Sequence, residues 1–305
     1  MLLENKHTRM APVFILAACA ILLNLSACKK SSPVQEYKDY CLYVLNETQT
    51  VSCNIEMVLD NEILQDPANP VSINEGNRYL RTSSILYEAA PDKLRVESIQ
   101  ILPELLAPAF KPQRSLLLYD GANQWCEGAD KENKMQYRRV KTAGITTPKR
   151  PFDTHLNNRD SGLMLGEGLL GSMRTIFRIY TMREVFTDNL NGTECIVLEG
   201  KLNEKEFYKY LEDSFQEFDN PKERSMLMDK FAFLQMYIAE SDYFVRKYSF
   251  GPAWDRNYMT VSFSNIALNQ EFPPDTFAYN PPAGVEIIDV TELIKRKLDQ
   301  FLSKK

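Results

Sequence analysis

The 305-residue chain sets 36 Lys and Arg against 41 Asp and Glu, a formal net charge of −5. That balance excludes the basic footprint of a nucleic-acid binder and the polybasic patch that holds anionic lipid. Past residue 33 there is no internal repeat, low-complexity linker or block of like charge, so the remaining length, about 270 to 280 residues, is expected to make one large domain.

Lys6 and Arg9 precede an apolar run from Ala11 to Leu25 that ends Leu25-Ser26-Ala27-Cys28. A charged start and a run too short for a comfortable membrane span read as an export signal over residues 1–27. The alternative is an uncleaved anchor helix. A small residue before cysteine at the end of such a run resembles the bacterial lipobox, whose cysteine is diacylated and becomes the mature N-terminus. Leu16-Ala17-Ala18-Cys19 fits the same pattern, but it would halve the apolar run, so Cys28 is the expected lipidation site. Two acyl chains bind a bilayer stably, since each buried CH₂ contributes about 0.8 kcal/mol. A tether over 28–34 reaches roughly 25 Å at most and keeps the domain near the membrane. Lys29 is not the Asp that retains enterobacterial lipoproteins at the inner membrane, and by that analogy the expected location is the outer membrane, facing the periplasm.

Four further cysteines, Cys41, Cys53, Cys126 and Cys195, allow disulfides in an exported chain, in three connectivities. Cys41 and Cys53 are close enough in sequence to join a first helix to a first strand; free buried thiols are the alternative. No CxxC occurs and His155 is the only histidine after the export segment, so no metal site is expected. No cofactor motif appears, and GxSxG, P-loop and HExxH are all missing. A binding or structural role is therefore expected rather than an enzyme.

Helical spacing of Tyr37, Tyr40, Cys41 and Val44 predicts a helix over Val34–Asn46. Strands are predicted over Thr50–Asp60, Asn77–Tyr87, Lys93–Ile101, Ser115–Tyr119, Asn123–Glu127 and Met135–Lys141, with Asp120-Gly121 as a hairpin turn. From Pro148 to Ser172, Met164, Leu165 and Leu169 alternate with glycines, each costing a helix about 1 kcal/mol relative to Ala. Such a segment suits a mobile cover over a greasy surface or, equally, an ordinary core helix with loops. Strands follow at Arg174–Phe186, Thr193–Lys201, Lys230–Ala239, Tyr243–Phe250 and Asn257–Leu268. An amphipathic helix is expected over Glu204–Phe218, within an insertion expected over 202–229. The stretch from Phe272 to Asp289 reads as the closing strand of an antiparallel sheet with its exit loop. Asp289 and Glu292 would cap a last helix over 290–305 striped by Val290, Leu293, Ile294, Leu298 and Phe301.

Three anchors occur in order: Ala90-Pro91-Asp92-Lys93-Leu94-Arg95-Val96, then Leu116-Leu-Leu-Tyr-Asp-Gly-Ala-Asn-Gln-Trp125, then Phe277-Ala-Tyr-Asn-Pro-Pro-Ala-Gly-Val-Glu-Ile-Ile-Asp289. Together they resemble the outer-membrane lipoprotein carrier family (LolA-like proteins) and the LolB-like receptors of the same superfamily. The resemblance implies an α+β domain over 35–289: a curved antiparallel sheet forming an incomplete β-barrel, with a helical lid over a hydrophobic cavity. It implies acyl chains of lipids or lipoproteins as cargo. Leu94, Val96, Met259, Val261 and Phe263, with Met164, Leu165 and Leu169 from the cover, are the expected cavity side chains. The family's best-known carriers tie the lid with an arginine before the early proline, where this chain has Ala90. A lipid anchor also departs from a shuttle. Reception or sensing, with envelope protein partners, therefore stands beside transport, and a structural or protein-interaction lipoprotein with no lipid cargo is the competing reading.

Overall fold

The structure, a computed structural model, describes residues 32–60, 79–90, 92–101, 113–129, 134–143, 168–212 and 221–303. The first helix, α1 (Pro33–Glu47), starts where Ser32 accepts a hydrogen bond from the Gln35 N–H and Pro33 takes a position that needs no donor. Its buried stripe is Cys41 and Leu45. Six strands follow: β1 (Thr50–Asp60), β2 (Tyr79–Ala89), β3 (Lys93–Ile101), β4 (Gln113–Tyr119), β5 (Asn123–Ala129) and β6 (Met135–Lys141). The hairpin predicted at Asp120-Gly121 is present. The Asp120 carboxylate accepts from the Ala122 and Asn123 N–H groups, and Gly121 supplies the left-handed residue, φ 92°.

The next segment departs from expectation. Arg174–Phe186 was expected as one strand, but its first six residues complete a helix, α2 (Gly168–Ile179), and only then does β7 (Tyr180–Leu190) begin. Leu169, Leu170, Met173, Ile176 and Phe177 recur at helical spacing, and all are buried. The chain continues as β8 (Thr193–Leu202), α3 (Glu204–Glu212), α4 (Pro221–Lys230), β9 (Phe233–Ala239), β10 (Val245–Gly251), β11 (Met259–Leu268), β12 (Ile287–Asp289) and α5 (Thr291–Ser303). The last helix is capped differently from the expected box: Asp289 accepts from the N–H and hydroxyl of Thr291, not with Glu292 as partner. Ile294 packs inward while Leu293 stays exposed; the Leu298 and Phe301 side chains lie outside the described residues.

All twelve strands form one sheet in the order β12-β6-β5-β4-β3-β2-β1-β11-β10-β9-β8-β7. The two end strands do not pair with each other, so the sheet is open, as expected of an incomplete barrel. Every pairing is antiparallel except the last, where β12 joins β6 in parallel through Ile287–Asp289. The closing strand was expected to extend an antiparallel sheet. Instead Phe272–Asn280 crosses the sheet as turns, and only three residues return to pair.

Strand alternation sorts two faces. The inner face carries Val51, Cys53, Ile55 and Met57 of β1, Leu86 and Glu88 of β2, Leu94 and Val96 of β3, and Val261 and Phe263 of β11. With α1, α2 and α3 these make one core. A small second cluster, Cys126, Val140 and Ile294, joins α5 to the β5–β6 end of the same face. Nine of the twelve residues of α2 are buried, so it is a core helix enclosed by its neighbours rather than a surface lid.

Gly251 closes β10 at a backbone crossing: a Cβ built there falls 1.8 Å from the Arg256 carbonyl oxygen. Gly251→Ala is expected to cost about 2 kcal/mol or more, because backbone rather than a side chain must yield. A fall in urea midpoint without change in m value measures it.

Candidate functional site

A glutamate inside the sheet fixes the central helix. Glu88 sits on β2 between Val51 and Leu94, an inner-face position where its neighbours are apolar. Its carboxylate accepts the N–H of Leu169 at 2.5 Å and of Leu170 at 3.3 Å, two of the donors that the start of α2 leaves without partners. Gly168 precedes them at φ 68°, and a Cβ there would lie 2.8 Å from the carboxylate. Arg174, one turn further along α2, adds a positive field at Glu88 and donates to the Leu45 carbonyl at the end of α1. Burial nevertheless dominates and raises the Glu88 pKa to about 7; the two N–H bonds and Arg174 pull the other way.

On the inner face of β3–β5, where the two core clusters meet, lies a cavity of about 50 Å³. Val96 and Leu117 border it on the α2 side and Cys126 on the α5 side, with Ser98, Gln113 and Ser115 between. Gly128 opens onto it, since a Cβ there would meet nothing within 4 Å. The cavity has room for a few water-sized groups.

The outer face holds a larger groove, about 710 Å³, between β2–β5 and the crossing segment. Ile85, Ile99 and Met135 stand half-exposed in it, beside Arg95, Glu97, Arg114 and Glu127. The crossing segment is fastened there: Arg95 donates to the Thr276 carbonyl, Tyr279 donates to Glu127, and the Tyr279 ring stacks on Trp125 at 4.5 Å. Arg139 lies over Trp125 and donates to Asp289 at 2.8 Å.

The expected cavity side chains are thus divided. Leu94, Leu169, Met259, Val261 and Phe263 are packed among themselves and α2 in the core, and only Val96 borders open space. The expected wall was uniformly apolar and hollow; α2 fills it, because its own apolar side chains point at the same strands. Met164 and Leu165 lie outside the described residues, as do Cys28 and His155, and the expected cover is described only from Gly168 onward. Sequence reasoning missed Glu88 altogether. The signal was a lone acid at an inner-face position of an otherwise alternating strand, with a glycine-started apolar helix far downstream to receive it.

The disulfide expected between Cys41 and Cys53 is not formed; Cys41, Cys53, Cys126 and Cys195 are all buried and none is in a disulfide. Cys41 faces the field of Asp242 and Cys53 that of Glu88, so the two thiols sit in different surroundings. Burial pushes both up to about 12. Among the described residues no group of three or more His, Cys, Asp or Glu side chains assembles as a metal site.

No protein-family model matches the chain, and no curated protein does. It is similar to solved structures at low identity. LprF from Mycobacterium bovis matches at 10% identity and a TM-score of 0.42, over 83% of this chain and 99% of that one. A putative outer membrane lipoprotein-sorting protein domain from Vibrio parahaemolyticus matches at 9% and 0.32, over 80% and 97%. A LolA superfamily protein from Nitrosomonas europaea matches at 10% and 0.27, over 81% and 97%.

Two outcomes are expected here. The raised Glu88 pKa means that the folded state holds this proton more tightly than the unfolded chain, so the associated stability is present below about pH 4.5 and lost as pH rises through about 7. A shift of this size corresponds to roughly 3 kcal/mol. Glu88→Gln keeps an acceptor oxygen and is expected to flatten that slope, measured by urea unfolding between pH 4.5 and 8. Cys41 and Cys53 are expected to resist alkylation in the native protein and to react fully once it is unfolded, read by intact mass.

Proposed function

We propose that this is a non-catalytic, lipid-anchored protein of the bacterial cell envelope, held at the outer membrane through Cys28, that binds acyl chains of lipids or lipoproteins. Its site is the inner face of β3–β5 between α2 and α5. The observation that carries this reading is the cavity over Gly128, the place on the inner face where apolar side chains border open space. The ordered resemblance of the three sequence anchors to lipoprotein carriers supports the same ligand class. About 50 Å³ does not hold an acyl chain, so uptake must widen this face. Because α2 is tied at Glu88 and enclosed by α1 and α3, widening falls on the α5 side, where the apolar contact of helix with sheet among the described residues is the small cluster of Cys126, Val140 and Ile294, beside the Lys141 N–H bond to Thr291. Each Å² of apolar ligand surface removed from water contributes roughly 25 cal/mol.

The outer groove favours a second reading, a protein-interaction lipoprotein with no lipid cargo, since it is the larger opening and mixes half-exposed Ile85, Ile99 and Met135 with charges of both signs. Gly128→Leu separates the two. Its side chain enters empty space and is expected to leave the unfolding midpoint nearly unchanged while cutting uptake of a fluorescent fatty acid at least tenfold. The assay uses the Cys28→Ser domain, with co-purified lipid identified by mass spectrometry. A wild-type domain that carries no lipid and takes up no probe rejects the acyl-chain reading. Mass spectrometry of the native N-terminal peptide tests the anchor: a peptide that does not begin at an acylated Cys28 rejects it.

A further inference from the structure

The first helix turns two aromatic side chains away from the domain it belongs to. Tyr37, Leu42 and Val44 of α1 pack against the core beside Cys41 and Leu45, whereas Tyr40 and Tyr43 do not. These two lie three residues apart, on one face of the helix, and are 45% and 65% exposed. Among the described residues Tyr43 is the most exposed of the large hydrophobic side chains. The turn between β9 and β10 extends the same surface. Tyr243 stands there at φ 54°, a left-handed conformation that a bulky residue keeps only where its surroundings impose it. Its N–H bonds to the Ala239 carbonyl, and its ring centroid lies 5.0 Å from that of Tyr40. Helix and turn thus build one tyrosine face.

We propose that this face rests on the headgroup layer of the bilayer that holds Cys28. The inference rests on the lipid-anchor reading and adds to it the surface that meets the membrane. Chain length is the first argument. The α1 helix begins at Pro33, five residues after Cys28, and five extended residues span roughly 17 Å. Tyr40 and Tyr43 follow about 10 and 15 Å further along the helix, so α1 is the first element that the anchor brings to the surface. Tethering turns a contact too weak to hold a protein from solution into an intramolecular one, at an effective concentration of about millimolar order. A patch of three phenols is then enough. Tyrosine suits the place, because its ring is apolar and its hydroxyl stays wet, the combination that collects at headgroup level. Charge selects the lipid. Glu36, Asp39 and Glu47 are exposed on α1, and its one basic residue, Lys38, is partly buried. In the turn Glu240 is exposed, and Asp242 is paired with Arg246. An anionic leaflet repels such a face; a zwitterionic headgroup layer, neutral overall, does not.

The experiment reads tyrosine reactivity by brief iodination and peptide mass mapping. It compares the native acylated protein in phosphatidylcholine vesicles with the Cys28→Ser domain in solution. Modification of Tyr40 and Tyr43 is expected to fall at least fivefold on the vesicles. Tyr79, 42% exposed, is the control: it begins β2, whose other end, Ala89, pairs with Thr50 just past α1, and its reactivity is expected to stay within twofold. Replacing a third of the lipid by phosphatidylglycerol is expected to halve the protection or more, and Asp39→Lys to restore it. Tyr43→Ser is expected to raise the reactivity of Tyr40 on vesicles at least twofold, which mere nearness of the bilayer would not do. If Cys28 is acylated, the protein is vesicle-bound and both tyrosines react as in solution, the docking face is overturned and the anchor stands. Protection that appears only when oligolysine is added also overturns it, and makes the patch a surface for a basic protein segment. If Cys28 carries no acyl chains and the protein stays off the vesicles, the anchor reading falls and the docking face with it.

Discussion

The structure depends on one buried carboxylate meeting one helix end. Among the described residues Glu88 has no counter-ion in direct contact; what offsets its desolvation is a pair of backbone N–H groups at the positive end of α2, with Arg174 at longer range. Removing the acceptor would strand two donors in the interior, and moving the helix would strand the acid. The register of α2 on the sheet is thereby fixed at its first turn. Gly168 follows from the same contact, since a side chain at that position would occupy the volume of the carboxylate. Once placed, α2 receives α1 through the Arg174 bond to the Leu45 carbonyl, and one core gathers around it.

That placement decides how much of the inner face is left for anything else. Over β1 and β8–β11 the apolar side chains of sheet and helix consume one another. Along β2, β3 and β4, past Leu86, Val96 and Leu117, the inner-face side chains change to Ser84 and Thr82, Ser98 and Gln100, and Ser115 and Gln113. A sheet of twelve strands is too broad for one helix to cover: neighbouring strands stand about 4.8 Å apart, whereas a helix with its side chains is about 10–12 Å across. The α5 helix takes the far margin at β5–β6, and the cavity is lined by β3, β4 and β5.

The outer face is organised by a different device. The Phe272–Asn280 segment would be an ordinary exit loop were it not for its aromatic and carbonyl contacts with the strands beneath. Trp125, Tyr279, Glu127 and Arg139 form a chain of stacking and hydrogen bonds that ends at Asp289, where the parallel strand β12 and the start of α5 are set. The Asp289 carboxyl is held well below the usual carboxylate range by its bonds to Thr291 and Arg139. The outer-face contacts therefore position the helix that packs on Cys126 and Val140 on the inner face.

Most of the strands and the hairpin turn at Asp120-Gly121 were legible in the chain, because alternation and Asp-Gly are local signals, whereas alternation alone left open which side of each strand faces inward. The structure places Val96, Val261 and Phe263 in the core. The resemblance of three ordered segments to lipoprotein carriers added the open sheet, and that architecture is what the strand order has. What the chain did not disclose were the pairings between distant residues. Nothing near Glu88 announces a helix start some eighty residues on, and the helical spacing of Ile176 and Phe177 shows only when the segment is read together with Leu169, Leu170 and Met173 before it. Cys41 and Cys53 are near in sequence and unbridged in space, because helix and strand present them to different neighbours. The polar rows of the inner face were present in the sequence as ordinary serines and glutamines. Only the register of β2, β3 and β4 brings them side by side, because lateral adjacency in a sheet is set by pairing between strands and not by the order of residues along any one of them.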